Sequence, residues 1–152
     1  MAREDKTRAV DRAYAETRLS AARAFLQQAD ISLQLVEGPL RNATVVSSAV
    51  LAAIAASDAA CALTLGMLPA GAHDNAVMLL ASVSGSKRAV GDLSKLLALK
   101  TAAQYTGKSM AERQAVDAIT RAQRLFAFAD SQRRRRTRAP SLPVPSRRAG
   151  SN

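Results

Sequence analysis

The stretch ATVVSSAVLAAIAASDAACALTL, residues 43–65, decides the fold, because Asp58 is its only charged side chain. Its other residues are mostly Ala, Val, Leu, Ile, Ser and Thr, so a helix formed from it is apolar all the way round. A helix of that kind is normally enclosed by other helices or by lipid. We interpret residues 43–65 as the central helix of an α-helical bundle.

This stretch is also long enough to cross a membrane, which takes about 20 residues. A carboxylate such as Asp58 near the middle of a bilayer costs about 2.5–3.5 kcal/mol even on the gentler insertion scale. The rest of the chain supplies amphipathic helices that can cover the stretch, so we predict a soluble protein. The first twenty residues lack the apolar segment of a signal peptide, which favours a cytoplasmic location.

Apolar residues recur at three- and four-residue spacing in four further segments, and alternating β-branched runs bounded by turn signals are absent from the sequence. The pattern predicts an all-α fold, an up-and-down bundle of four to five helices. Gly38-Pro39 ends the first helix, Gly66 follows the second in the C-terminal cap position, and Ser109 and Glu112 have capping-box spacing. The predicted helices lie near 5–36, 43–65, 74–83, 87–106 and 110–130.

The composition changes abruptly after Asp130, and we divide the chain into a bundle, 1–130, and an arginine-rich tail, 131–152. The tail has seven arginines and no acid, which leaves only +3 of the formal net charge of +10 for the bundle. With three prolines and no aromatic residue, it buries too little apolar surface to offset its ordering entropy. We predict a disordered tail, although its first arginines can extend the last helix.

The arginines of the tail have two interpretations. They can bind nucleic acid phosphates, of RNA or DNA, without sequence preference, or they can serve only to keep the protein soluble. Base stacking has no support, because no aromatic residue is interleaved among them. The candidate nucleic-acid-binding residues are Arg133, Arg134, Arg135, Arg136 and Arg138.

Residue types that bind metals or cofactors are scarce in this chain. It contains one His and one Cys, so neither a histidine cluster nor a cysteine-based metal site can form within it, and we expect no metal and no cofactor. Cys61 is expected to be a small buried hydrophobe. His73, in the sequence A-H-D-N, is either a loop or N-cap residue or a candidate general base.

Asp58 shares a helical face with Leu51, Ile54 and Leu65, where a carboxylate is costly unless it is paired. Lys100 lies at helical spacing from leucines of another core helix, so Asp58 and Lys100 are predicted to form a buried polar pair. Lys100 can alternatively extend its amine to the surface. Tyr105 or a Ser or Thr hydroxyl is the second choice of partner for Asp58.

Two segments resemble HEPN domains. SDAACALTLGMLPAGAHDNAVMLL, residues 57–80, is similar to their second helix, loop and third helix. LLALKTAAQYTGKSMAERQAVDAITRAQRLFAF, residues 96–128, is similar to their closing helices. The resemblance covers about residues 20–128 and is strongest to small actinobacterial HEPN-like proteins.

The resemblance implies a helical bundle that is often a dimer, and either ribonuclease activity or a non-catalytic partner role. Catalytic members carry an Arg followed a few residues later by a His on a late helix. Here Lys100 stands in place of that Arg and Tyr105 near that His. Tyr has a reference pKa of about 10 and is a poor general base near neutral pH.

We therefore expect a non-catalytic HEPN-like module that associates with itself or with a partner protein and contacts nucleic acid through its tail. The alternative is a metal-independent ribonuclease of a toxin or defence system, using Lys100, Tyr105 and His73.

Overall fold

The computed structural model describes residues 7–71, 73–105 and 109–138, and it confirms an all-α fold of five helices with one small two-stranded sheet. The side chains of His73, Gln104, Tyr105 and Arg138 are outside this description. In chain order the elements are β1 (Thr7–Ala9), α1 (Arg12–Leu35), α2 (Arg41–Leu65), β2 (Met67–Pro69), α3 (His73–Ala81), α4 (Lys87–Tyr105) and α5 (Glu112–Arg138).

α2 is the centre of the bundle, as predicted, and α1, α3, α4 and α5 all pack against it. Most of its buried residues are alanines, whose small side chains let the neighbouring backbones approach closely. By length and composition α2 could also cross a membrane, but 78% of its apolar window is buried inside the protein. Such burial is typical of the core helix of a soluble bundle.

The first helix begins at Arg12 rather than near residue 5. Asp11 is its N-cap, and its Oδ1 accepts a hydrogen bond from the Tyr14 N–H at 2.9 Å. Residues 7–9 instead pair antiparallel with β2, and the Val10 N–H donates to the Gly66 carbonyl at 3.0 Å. These strands are not predicted from the sequence, because three residues are too few to show an alternating pattern.

Gly66 ends α2 in the left-handed conformation, with φ of 64°, so its predicted role is confirmed. The turn aims the chain into β2. Leu68 of β2 is buried and joins a small apolar cluster with Leu63 and Ala15, against which Val10 and Tyr14 pack. The strand pair therefore fastens the N-terminal segment to the end of α2.

The start of α5 differs from the predicted capping box by two residues. Ala111, not Ser109, precedes the helix, and its N–H donates to Oε1 of Gln114 at 2.9 Å. Leu40 is the N-cap of α2, and Asn42 in the first turn donates from its Nδ2 to the Met110 carbonyl at 2.9 Å. The side chain of Asn42 thus fastens the α4–α5 connection to the start of α2.

α5 continues to Arg138, so the first arginines of the tail extend the last helix, as the sequence interpretation allows. Two interactions favour the helical extension. Asp130 binds Arg133 and Arg134 one turn further on, and Nη2 of Arg136 donates to the Thr64 carbonyl at 3.0 Å. Residues 139–152, where the rest of the predicted disordered tail falls, lie outside the described residues.

Candidate functional site

The last two turns of α5 carry the arginines that were predicted to bind nucleic acid. Nε of Arg133 lies 3.1 Å from Oδ1 of Asp130, and Nε of Arg134 lies 3.0 Å from its Oδ2. These hydrogen bonds, with that from Arg134 the strongest, lower the pKa of the buried Asp130 carboxyl. One acid therefore fixes the positions of two arginines.

The helix sorts these arginines by direction. Arg136 faces the bundle and caps the C-terminal end of α2 through Thr64. Arg134 and Arg135 are exposed on the outer side, and the side chain of Arg134 is 66% accessible to solvent. Arg138 is the last helical residue. Arg134 and Arg135 are thus the described residues of this set best placed for an external anion.

A second charged cluster, which is not among the sites predicted from the sequence, joins α4 to α5. Asp92 on α4 is only 2% exposed and accepts hydrogen bonds from two arginines of α5. Nε and Nη2 of Arg124 lie 3.1 and 2.6 Å from its two carboxylate oxygens, and Nη1 of Arg121 lies 2.9 Å away. Arg121 also donates a hydrogen bond to the exposed Asp117. This hydrogen bond is the main cause of the raised pKa of Arg121.

The sequence does contain a signal for this cluster. Asp92 lies three residues after Ala89 and four before Leu96, so it falls on the apolar face of its helix. Asp92 therefore has the same sequence signal as Asp58, namely an acid on an apolar helical face. The signal for this cluster is an acid on an apolar helical face together with two arginines three residues apart on a neighbouring helix.

Asp58 is largely buried, as predicted, but its cation is Arg18 of α1 rather than Lys100 of α4. Nη2 of Arg18 lies 3.1 Å from Oδ2 of Asp58. α1 runs along α2 and brings Arg18 opposite this carboxylate, whereas Lys100 is a partly buried residue of α4. Burial raises the pKa of Asp58 above its usual 3.8, although the charges of Arg18 and Arg8 oppose the shift.

Cys61 is buried one turn from Asp58, as expected for a small core residue. Burial, assisted by the negative charge of Asp58, raises the pKa of the thiol to about 12. The thiol is therefore protonated at neutral pH and is a weak nucleophile.

The three candidate catalytic residues lie on neighbouring helices. His73 begins α3, Lys100 lies in the last turns of α4, and Tyr105 ends α4. Asp74 and Thr101 line one cleft between α3 and α4, so the start of α3 lies near the end of α4. Among the described residues, no group of three His, Cys, Asp or Glu side chains is arranged to hold a metal ion.

An apolar surface occupies the turn between α1 and α2. Leu35 and Leu40 are 75% and 72% exposed, and Ile31 and Val36 beside them are partly exposed. Arg41 anchors this turn, because its guanidinium donates to the Leu33 carbonyl and lies 3.3 Å from Glu112 of α5. The turn is therefore held against the bundle while its leucines point outward.

Comparisons of the chain with protein-family models, with curated proteins and with solved structures found no match. The resemblance to HEPN domains therefore depends on the sequence pattern described above.

We expect Asp92→Ala to lower the free energy of unfolding by about 3 kcal/mol, because it leaves two guanidinium groups without their shared carboxylate. The loss should be at the lower end of the range for buried pairs, since Arg121 and Arg124 are partly exposed and can turn toward water. Urea denaturation measures the change. Asp117→Ala removes the exposed partner of Arg121 and should cost less than about 1 kcal/mol. Equal losses in the two variants would contradict the structural role of Asp92.

Asp58 should give stability a measurable dependence on pH. Its raised pKa means that the folded protein binds this proton more tightly than the unfolded chain, whose carboxyl titrates near 3.8. The associated stability is complete below that value and is lost as pH rises through the pKa of the folded state. Asp58→Asn cannot titrate and should escape this loss.

The measurement for Asp58 is the difference in unfolding free energy between wild type and Asp58→Asn, followed from about pH 3.5 upward. It should shift in favour of the variant as pH rises. Asp74→Asn, which removes an exposed carboxylate, is the control. A shift in favour of wild type would show that Arg18 outweighs the burial of Asp58.

Proposed function

We propose that this protein is a non-catalytic, HEPN-like helical module of the cytoplasm that binds nucleic acid phosphates and associates with a second copy of itself. The observation that carries the proposal is the arginine-rich end of α5. There Arg134 and Arg135 are exposed on a helix that Arg136 fastens to the end of α2, while Asp130 holds Arg134 within the same helix.

The helical geometry supports binding more strongly than a disordered tail does. A flexible tail loses conformational entropy when it binds, whereas arginines on a fixed helix have lost part of that entropy already. Guanidinium groups also match phosphate oxygens with paired donors. Contacts of this kind depend on the charge and spacing of the phosphates rather than on base sequence. The affinity for nucleic acid should therefore fall steeply as the salt concentration rises.

Self-association is supported by the apolar turn between α1 and α2. Leu35, Val36 and Leu40 are exposed in one turn, and groups of exposed apolar residues typically mark interaction sites. A two-fold dimer uses the same patch on both copies, and an apolar patch is complementary to itself. A different protein partner is the other possible occupant.

Arg134→Gln combined with Arg135→Gln should weaken binding to a short, fluorescently labelled duplex of mixed sequence. Loss of two phosphate contacts should reduce the slope of log affinity against log salt by about two. Fluorescence anisotropy titrations between about 50 and 200 mM salt measure this slope. The matched control is Arg12→Gln with Arg23→Gln, which removes two exposed arginines from α1.

Equal slopes for this variant and the control would contradict a specific role for the end of α5. The same titration with labelled RNA tests the ribonuclease alternative, because the length of the recovered probe is read on a gel. Cleavage that Lys100→Ala abolishes would replace the non-catalytic proposal with an enzyme.

Leu35→Glu with Leu40→Glu should abolish self-association, because it places two carboxylates in the apolar turn. Sedimentation equilibrium over a range of protein concentrations measures the mass. Val116→Glu, at a similarly apolar but isolated exposed position on α5, should behave as wild type. A wild-type mass that stays monomeric at every concentration would refute the dimer.

A further inference from the structure

The charge of the folded bundle is concentrated on α4 and α5. α4 carries four basic residues and one acid, and α5 carries eight arginines and three acids. By contrast, α1 carries three arginines and two acids. α1 does not pack against α4, so the two helices lie on different sides of the central helix. α5 packs against both α1 and α4, so the positive side of the bundle consists of α4 and the face of α5 that adjoins it.

Four cations on that side either bind Asp92 or lie within one helical turn of it. Arg88 and Lys95 lie one turn before and one turn after it on α4, and both are exposed. Arg121 and Arg124 reach it from α5. Asp92 is buried, and Asp117 is the exposed acid of the cluster, so cations dominate what the surface presents to solvent.

Asp92 fixes the orientation of the two guanidinium groups. Arg124 uses Nε and Nη2 on the carboxylate, which leaves the donors of Nη1 directed away from this pair. Its side chain is still 35% exposed. A guanidinium held in place in this way loses little further side-chain entropy when it meets an anion.

The cluster is continuous with the arginines at the end of α5. Positions 121, 124, 128 and 135 are separated by three, four and seven residues, so they share one face of the helix. Phe128 is partly buried between the two groups of arginines. At 1.5 Å per residue, the arginines from 121 to 135 span about 21 Å, or about six base-pair steps of 3.4 Å.

We infer that the α4–α5 face formed by Arg88, Lys95, Arg121, Arg124 and Arg135 is a continuous surface for the phosphate backbone of nucleic acid. This inference rests on the proposed function and extends it from the chain end to the folded bundle. Asp92 is a positioning residue for Arg121 and Arg124. Arg88 and Lys95 contact phosphates without taking part in the Asp92 ion pairs.

The test is Arg88→Gln combined with Lys95→Gln in the full chain, because these exposed side chains can be changed without breaking the Asp92 cluster. Binding to the labelled duplex is measured against salt, and circular dichroism melting verifies the fold. The slope of log affinity against log salt should decrease by about two. Removing any two charges weakens the long-range field, so Arg12→Gln with Arg23→Gln is again the matched control.

Each outcome decides between the two proposals. If Arg88→Gln with Lys95→Gln matches the α1 control while Arg134→Gln with Arg135→Gln weakens binding, the extended face is refuted and the proposed function stands. If the slope of log affinity against log salt decreases by about two for Arg88→Gln with Lys95→Gln, the extended α4–α5 face is supported. If wild-type protein does not bind the duplex, both proposals fail.

Discussion

Four helices pack against α2, and each must approach a surface made largely of alanine. Small side chains bury little area each, so the stabilisation depends on many close contacts rather than on a few large residues. The larger buried residues lie mainly on the helices around it, such as Leu80, Leu93 and Leu125. Enlarging a central alanine would push a whole helix outward, because the interior has little spare volume.

Arginines complete the framework by satisfying carbonyl groups that helices leave free at their C-terminal ends. Arg41 binds the Leu33 carbonyl at the end of α1, and Arg136 binds the Thr64 carbonyl at the end of α2. Both contacts place a cation at the negative end of a helix dipole. The high arginine content of this chain therefore stabilises its fold as well as setting its net charge.

The sequence predicted the five helices because their apolar periodicity is long and regular, and it predicted Gly66 because the cap position requires a left-handed residue. It did not predict β1 and β2, which are too short to show a period. Lys100 was predicted as the partner of Asp58 from the apolar faces of the helices alone. The rotation of α1, which brings Arg18 to that carboxylate, was not part of that prediction. Helix rotation depends on packing across the whole bundle, and a single sequence does not contain it in readable form.

The composition of the tail leaves the placement of its arginines open for a related reason. The composition gives only the number of arginines. Binding of a phosphate depends on which guanidinium groups are not already engaged within the fold. Asp130 binds Arg133 and Arg134 but leaves the side chain of Arg134 66% exposed, whereas Arg136 is engaged by α2. Asp92 likewise binds two arginines and leaves them partly exposed. Arg88 and Lys95 lie beside them and take no part in the ion pairs with Asp92. An acid that is buried beneath arginines offsets part of their charge, but it also fixes at the surface the guanidinium donors that it does not bind. For the surface proposed above, the geometry of the arginines around each buried acid is therefore a better guide to phosphate binding than net charge is.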